Sequence, residues 1–552
     1  MLLLLCFVAT ALIAPMLRLG QASGHDFQFH LASWLEVAGQ WREGILYPRW
    51  AEWANWGFGE PRFIFYPPAS WMAGAALGLL LPWKMAPGAF IWLATTLAGM
   101  CMWRLAREWL PMPQAVAAAV FFAANPYHLV MIYYRADFAE LLASALFPLM
   151  LQVALRMLTS GWRELPALAA VFAAIWLSNA PAAVIATYSL VLLFAVACFL
   201  RRGVSPAVPG GAAMAAGFGL AAFYVLPAAW ERQWVQIAQV ASNNLRPEQN
   251  FLFTQASDPE FVLFNWKVSG VAMEVMLVAG IAAVATARLR RRFAELWWML
   301  LTLGATSVLL MFRPSAFVWR LLPDLHFVQF PWRWLIPLDL VFALFAAAAM
   351  ARLRRPWLLV FGLIACTAAT AALIVPNAWW DSEDIPAIAA GIHAGRGYEG
   401  TDEYAPVTSD PYNLPRAAPR IAKADPEMQN VTPAAGVRVH IERWNAERRV
   451  LSVDSPQAFV LAPRLVNYPA WEVRVDGKPA PASTATDTGQ LLVPLTPGAH
   501  AVDLRFVRTW DRTTGAAISV LTAALLIGFV VLLRRISPGS ASALARRSEL
   551  RR

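Results

Sequence analysis

Three short stretches gather the groups that move protons or hold anions in a chain otherwise sparing of charge. "GHDFQFH" (24–30) sets Asp26 between His25 and His30, "YYRADFAE" (133–140) joins Arg135 to Asp137 and Glu140, and "FVQFPWRWL" (327–335) puts Arg333 between Trp332 and Trp334. A fourth, "PRFIFYPP" (61–68), offers Arg62 and Tyr66 ahead of a Pro-Pro pair. A carboxylate can take a proton from a hydroxyl, and an imidazole one helical turn on can orient it. Each stretch also has a plainer reading. Asp26 can simply cap a helix. Asp137 and Glu140, three apart, share a helix face and have the spacing of a capping box with Asp in the Ser/Thr place. Arg333 among tryptophans fits an interfacial aromatic belt with an arginine snorkelling to the headgroups. Pro-Pro is often only a rigid turn.

Other chemistries find no footing. The seven histidines are scattered without ligand spacing, so no metal set is read, although Asp137 and Glu140 leave a divalent cation open. No P-loop, nucleophile elbow or dinucleotide fingerprint stands in a strand–turn–helix setting. Cys6, Cys101, Cys198 and Cys366 all lie in apolar segments and read as core residues. Asp339 stands deep in the apolar run "WLIPLDLVFALF", where a carboxylate must be paired, protonated or turned to a cavity.

The elements that position these groups follow from composition. The 552 residues are 59% hydrophobic and 14% charged, a balance that a single soluble core cannot hide. Repeated apolar runs of roughly 17–21 residues mark a polytopic membrane protein with about 12–13 transmembrane helices. The formal charge of +10 does not point to nucleic acid. Many basic residues sit in short clusters between apolar runs, such as "RLRRR" (288–292) and "RLRR" (352–355), the positive-inside pattern of cytoplasmic loops. From 137 onward these clusters alternate sides. That places 377–512 outside and the tail after 534 inside. Upstream the parity fails unless one run is re-entrant, and 64–82 is the expected one, being short and holding Gly74 and Gly78. Residues 1–376 are thus expected to form the membrane domain, with an amphipathic helix along the membrane surface inside the 20–63 loop. Segment 377–512 begins as irregular coil and continues as a small antiparallel β-sandwich. Its strands are expected near 437–442, 448–453, 458–466, 471–475, 490–495 and 500–506. Residues 513–552 hold a last helix and a basic tail.

This layout resembles the C-type glycosyltransferase superfamily (GT-C), and more narrowly the YfhO-like bacterial membrane proteins, including the group labelled 6-pyruvoyl-tetrahydropterin-synthase-related. The residues that carry it are 24–68, "YYRADFAELLASALFP" (133–148), "VLPAAWE" (225–231), "FVQFPWRWL" and the terminal "NYPAWEVRVDGKPA…LTPGAHAVDLRF". The resemblance implies an inverting enzyme of the bacterial inner membrane. It would move a sugar from a polyprenyl-phosphate-linked donor to an envelope glycan, lipid or protein on the extracytoplasmic face. Asp26 would be the base, oriented by His25 or His30. Arg333 and Arg135 would hold phosphate, Trp332 would line the way in, and Asp137 and Glu140 would shape the acceptor side. Arg62 and Tyr66 would meet donor or acceptor. The tight Asp-x-Asp of some metal-dependent relatives is missing. Two rival functions stay open: a transporter or flippase of lipid-linked sugars, and a non-catalytic envelope-assembly protein.

Overall fold

The computed structural model describes residues 1–351, 355–425 and 431–536. The basic cluster at 352–354 and the tail beyond 536 lie outside the described residues.

Helices dominate the first 376 residues. They are α1 (Leu2–Leu19), α2 (Phe27–Arg42), α3 (Pro68–Leu80), α4 (Ala86–Ala106), α5 (Met112–Ala123), α6 (Phe138–Ser160), α7 (Leu165–Trp176), α8 (Ala180–Arg201), α9 (Ala207–Leu220), α10 (Ala222–Glu231), α11 (Pro259–Thr286), α12 (Ala294–Leu310), α13 (Leu335–Met350) and α14 (Pro356–Ile374). Beyond them come α15 (Asp384–His393) and α16 (Trp510–Ile536). Among the described residues, nine helical runs are long and apolar enough to cross a membrane, or eleven if two sharply bent pairs each make one crossing. One of the nine, Phe138–Trp176, doubles back at Gly161–Glu164, so that α6 and α7 pack side by side. The chain is a multi-pass membrane protein.

Hydrogen bonds between loops show which helix ends lie together. At one end the backbone NH of Asp26 donates to Arg135 (2.8 Å), Ala69 NH to Leu177 (2.7 Å) and Gln21 Nε2 to the Lys84 carbonyl (2.8 Å). At the other, Arg201 donates to the Leu158 carbonyl (2.6 Å) and to Glu295 (2.6 Å). Both flanks of α3 are therefore tied to the first end, and its 13 residues fall short of the roughly 20 that a crossing needs. This is the run whose removal restores the parity of the topology.

α2 departs from expectation. Instead of lying on a membrane surface with a wet polar face, it is buried on both faces along its middle, with Gln28 and Arg42 exposed near its ends. Trp34 and Val37 pack into the bundle, while Glu36 and Gln40 are also buried and hold the loop that follows. Glu36 accepts from the Trp53 NH (2.6 Å), and Gln40 Nε2 donates to the Trp50 carbonyl (2.8 Å). The polar stripe that looks amphipathic in sequence satisfies buried backbone.

The C-terminal strands are β1 (Ile421–Ala424), β2 (Val431–Pro433), β3 (Arg438–Trp444), β4 (Arg448–Ser455), β5 (Phe459–Pro463), β6 (Trp471–Val475), β7 (Lys478–Pro479), β8 (Ser483–Thr484), β9 (Leu491–Leu495) and β10 (Gly498–Phe506). They form two five-stranded sheets, ordered β2-β1-β5-β9-β8 and β3-β4-β10-β6-β7. Strict alternation along β4 buries Leu451 and Val453, which meet Val502 and Leu504 of β10 and Leu461 and Val493 of the facing sheet. The four strands the sequence does not announce have two to four residues each, too short to display a period. This sandwich docks on the first end of the bundle. Trp50 packs against Trp471 and Phe506 at ring distances of 5.5 and 5.4 Å. Glu231 at the end of α10 accepts from Arg512 (2.6 Å) and Tyr468 (2.6 Å).

Candidate active site

The first loop is stitched to the turn after α5. His25 NH donates to the Tyr134 carbonyl (3.1 Å), next to the Asp26–Arg135 bond. Gly24 permits this approach, since a Cβ there would stand 2.5 Å from the Tyr134 carbonyl oxygen. The partner segment is itself unusual. Val130–Arg135 winds as a π-type turn, Ala136 then takes a left-handed conformation (φ 49°), and Asp137 opens α6. Such wide turns re-aim side chains. Here Arg135 points at Asp26 and Asp137 rather than continuing up the helix.

Five charged groups from three distant segments thereby meet. Arg135 pairs with Asp26 through Nη2 and Nε (3.1 Å to Oδ2), and with Asp137 at 3.2 Å. Arg333 reaches Asp137 (3.3 Å) and Glu140 (2.8 Å). Tyr127 donates to Glu140. Asp137 accepts the Glu140 backbone NH (2.9 Å), so it does cap α6, but the Glu140 side chain does not return the bond and turns to Arg333 instead. Phe330 lies under both guanidinium groups, 5.0 Å from Arg135 and 4.9 Å from Arg333.

Asp26 occupies the N-cap position of α2 without making the cap bond. Its side chain is 34% exposed, whereas Arg135, Asp137, Arg333 and Glu140 lie between 1% and 4%. Both Arg135 contacts use Oδ2. Oδ1 has no hydrogen-bond partner among the described residues, and neither has Arg135 Nη1. Asp26, His25 and Arg135 line a cavity of about 500 Å³, walled by Phe261, Phe330 and Trp379. His25 keeps open surface at its edge but packs against Phe264 (4.8 Å) and Trp379 (5.3 Å). That crowding, with the Arg135 charge, holds its pKa below the ordinary histidine value, so the ring is neutral at pH 7.

Several expected placements change. The His30 ring faces Asp137 (3.7 Å), not Asp26; only its backbone NH reaches the Asp26 carbonyl. Arg62 is buried against Glu60 (2.7 Å), Ser33 (3.1 Å) and the Phe29 ring (4.4 Å), where it clamps α2 to the loop before α3. Tyr66 packs on Phe29 and His30, at 4.7 and 5.7 Å. Trp332 is fully buried and stacked on Phe330 (4.8 Å). Arg333 spends its donors on Glu140, Asp137, the Val328 carbonyl (2.9 Å) and Gln329 (3.1 Å), leaving little for a phosphate. Asp339 is buried in α13 with no partner for either oxygen among the described residues. A divalent cation fits poorly, because the carboxylates that would bind it face arginines, and among the described residues no three His, Cys, Asp or Glu side chains converge. Tyr127, Gln329 and Lys267, which donates to the Tyr134 hydroxyl (2.7 Å), carry no sequence signal for their part here.

Fold and site define a polytopic helical membrane protein with a β-sandwich docked on the end of the bundle that also holds a charged cluster. No family model and no curated protein matches the sequence. Among solved structures, the crystal structure of ArnT from Cupriavidus metallidurans bound to undecaprenyl phosphate aligns at 14% identity and a TM-score of 0.40. The alignment covers 67% of this chain and 63% of ArnT, too loose an overlap to assign a function.

Proposed function

We propose that the chain is a membrane glycosyltransferase that moves a sugar from a polyprenyl-phosphate donor to a hydroxyl of an envelope glycan, lipid or protein. It would sit in the bacterial cytoplasmic membrane with residues 377–512 on the extracytoplasmic side. The observation that carries this reading is the meeting of two groups at one cavity: Asp26, whose side chain is part-exposed, and Arg135, a buried guanidinium whose Nη1 has no partner among the described residues.

In this reading the acceptor oxygen attacks the anomeric carbon while its proton passes to Asp26. The bond from that carbon to the phosphate oxygen breaks, and its electron pair leaves with the polyprenyl phosphate. Arg135 holds that anion. One displacement inverts the anomeric centre. Asp137, Glu140 and Arg333 fix Arg135 in place, which is a positioning part rather than the phosphate contact or acceptor surface expected from sequence. A second cavity of about 450 Å³ suits the lipid chain. It is bounded by Leu12, Phe121, Val275, Phe342 and Leu363, and Tyr133, two residues before Arg135, lies at its wall.

Binding of a long-chain polyprenyl phosphate to the purified protein tests the reading. Arg135→Lys keeps the charge but loses the planar fork, and should weaken binding about tenfold. Equal affinity in wild type and variant would remove Arg135 as the phosphate holder.

A further inference from the structure

A second polar cavity, of about 310 Å³, lies where the first loop, α10 and the start of α16 meet. Arg49, Arg508 and Arg512 line one side, and Phe63, Phe223 and Val520 the other. We propose that this pocket binds the phosphate headgroup of an anionic membrane phospholipid, with the acyl chains running down the Val520 side of α16.

Its charges are poorly balanced. Arg512 is bound at both ends of its fork by Glu231, at 2.6 and 2.7 Å. Arg49 has one carboxylate near it, Glu447 at 3.7 Å, and donates to the Tyr47 carbonyl at 3.5 Å. Arg508 has no carboxylate within 4 Å among the described residues, and its hydrogen bond goes to the Arg512 carbonyl at 3.4 Å. Burial holds Arg49 below the ordinary arginine pKa, and Arg512 and Arg508 push the same way against the pull of Glu447. Three guanidinium groups around one cavity, of which Arg512 alone is tightly paired and Arg508 has no acid, call for an anion.

The depth of the pocket says which anion. The run Trp510–Arg535 has a mean hydropathy of 2.7, and none of its apolar window is buried in the protein, so α16 faces lipid. The three arginines stand at its first turn. Beside them Trp230 and Trp510 pair at 4.8 Å with both rings exposed, the placing of aromatic residues at a headgroup level. Val520, 70% exposed, continues the pocket toward the hydrocarbon. Basic pockets between membrane helices bind the phosphates of anionic lipids. The site is separate from Asp26: the 16 residues of α2, about 24 Å of helix, lie between Asp26 and the loop bearing Arg49. It is therefore independent of the glycosyltransferase reading.

Native mass spectrometry of the purified full chain, offered phosphatidylglycerol against phosphatidylcholine, tests this. Wild type should retain the anionic lipid about tenfold or more over the zwitterionic one. Arg49→Gln/Arg508→Gln should lose that preference. Arg508→Gln alone, at an exposed position, and Val520→Trp, which crowds the acyl side without touching charge, should each weaken retention. Equal retention of the two lipids by wild type, or unchanged retention in all variants, would overturn the proposal. So would full displacement of the lipid by millimolar inorganic phosphate, which would make the ligand a soluble anion.

Discussion

Replacing Arg333 by methionine should destabilise the protein more than any single change at the cavity rim. Arg333 is 4% exposed and is the charge opposite Glu140 (2.8 Å) and a shared one for Asp137 (3.3 Å). Methionine fills similar space but leaves Glu140 with Tyr127 alone, while Asp137 keeps Arg135 at 3.2 Å. Removing one partner of a buried pair costs about 3–5 kcal/mol, because the other charge remains desolvated. Arg333→Met/Glu140→Gln removes the stranded charge together with its partner, so about 2 kcal/mol should return. Equilibrium unfolding in mixed micelles, followed by far-ultraviolet circular dichroism, reads both values. A loss below ~1 kcal/mol for the single variant, or a double variant no better than the single, would refute the view that Arg333 serves the buried acids.

Two further changes probe the frame. Gly24→Ala places a Cβ 2.5 Å from the Tyr134 carbonyl oxygen, so the loop must lift off Arg135. About 1–3 kcal/mol should be lost, with transfer activity falling further than stability, as thermal unfolding and a transfer assay on the same sample would show. Glu36, raised to about 8 by burial and then by Glu52, binds a proton more tightly folded than unfolded. Its contribution is thus full below its ordinary value of 4.5 and is lost as pH rises toward 8. Glu36→Gln should flatten the melting temperature across that window, and an unchanged slope would exclude Glu36 as its source.

The fold class was legible because membrane helices and sheet strands write their periods openly. Runs such as 180–201 are apolar for the whole length of a crossing, and β4 alternates residue by residue. The weak point in the topology, 64–82, was visible through its shortness. What stayed hidden depends on contacts between distant segments. The burial of α2 on both faces could not be read from its own wheel, since the cover comes from residues around 50–53 and 398. The three segments that supply Asp26, Arg135 with Asp137, and Arg333 could each be picked out by residue type, yet which acid faces which arginine could not. That pairing depends on the π-type turn at 130–135 and the left-handed Ala136, and neither Val-Met-Ile-Tyr-Tyr nor Ala announces such a backbone. Arg62 and Trp332 stand in motifs that look exposed at a membrane boundary. Glu60, Phe29 and Tyr398 enclose the first, and Phe330, Phe264 and Tyr127 the second.

The most direct test of the central claim uses a strain lacking the protein, complemented by wild type or by Asp26→Asn at equal membrane abundance, with envelope glycans and lipid-linked sugars quantified together. Asp26→Asn should fold, because Asp26 is the exposed member of the cluster, and should slow transfer by about 10²–10⁴. The account predicts no rescue by the variant and accumulation of the donor lipid. Full rescue, with glycans restored and no donor accumulating, would contradict it and remove Asp26 from the chemistry.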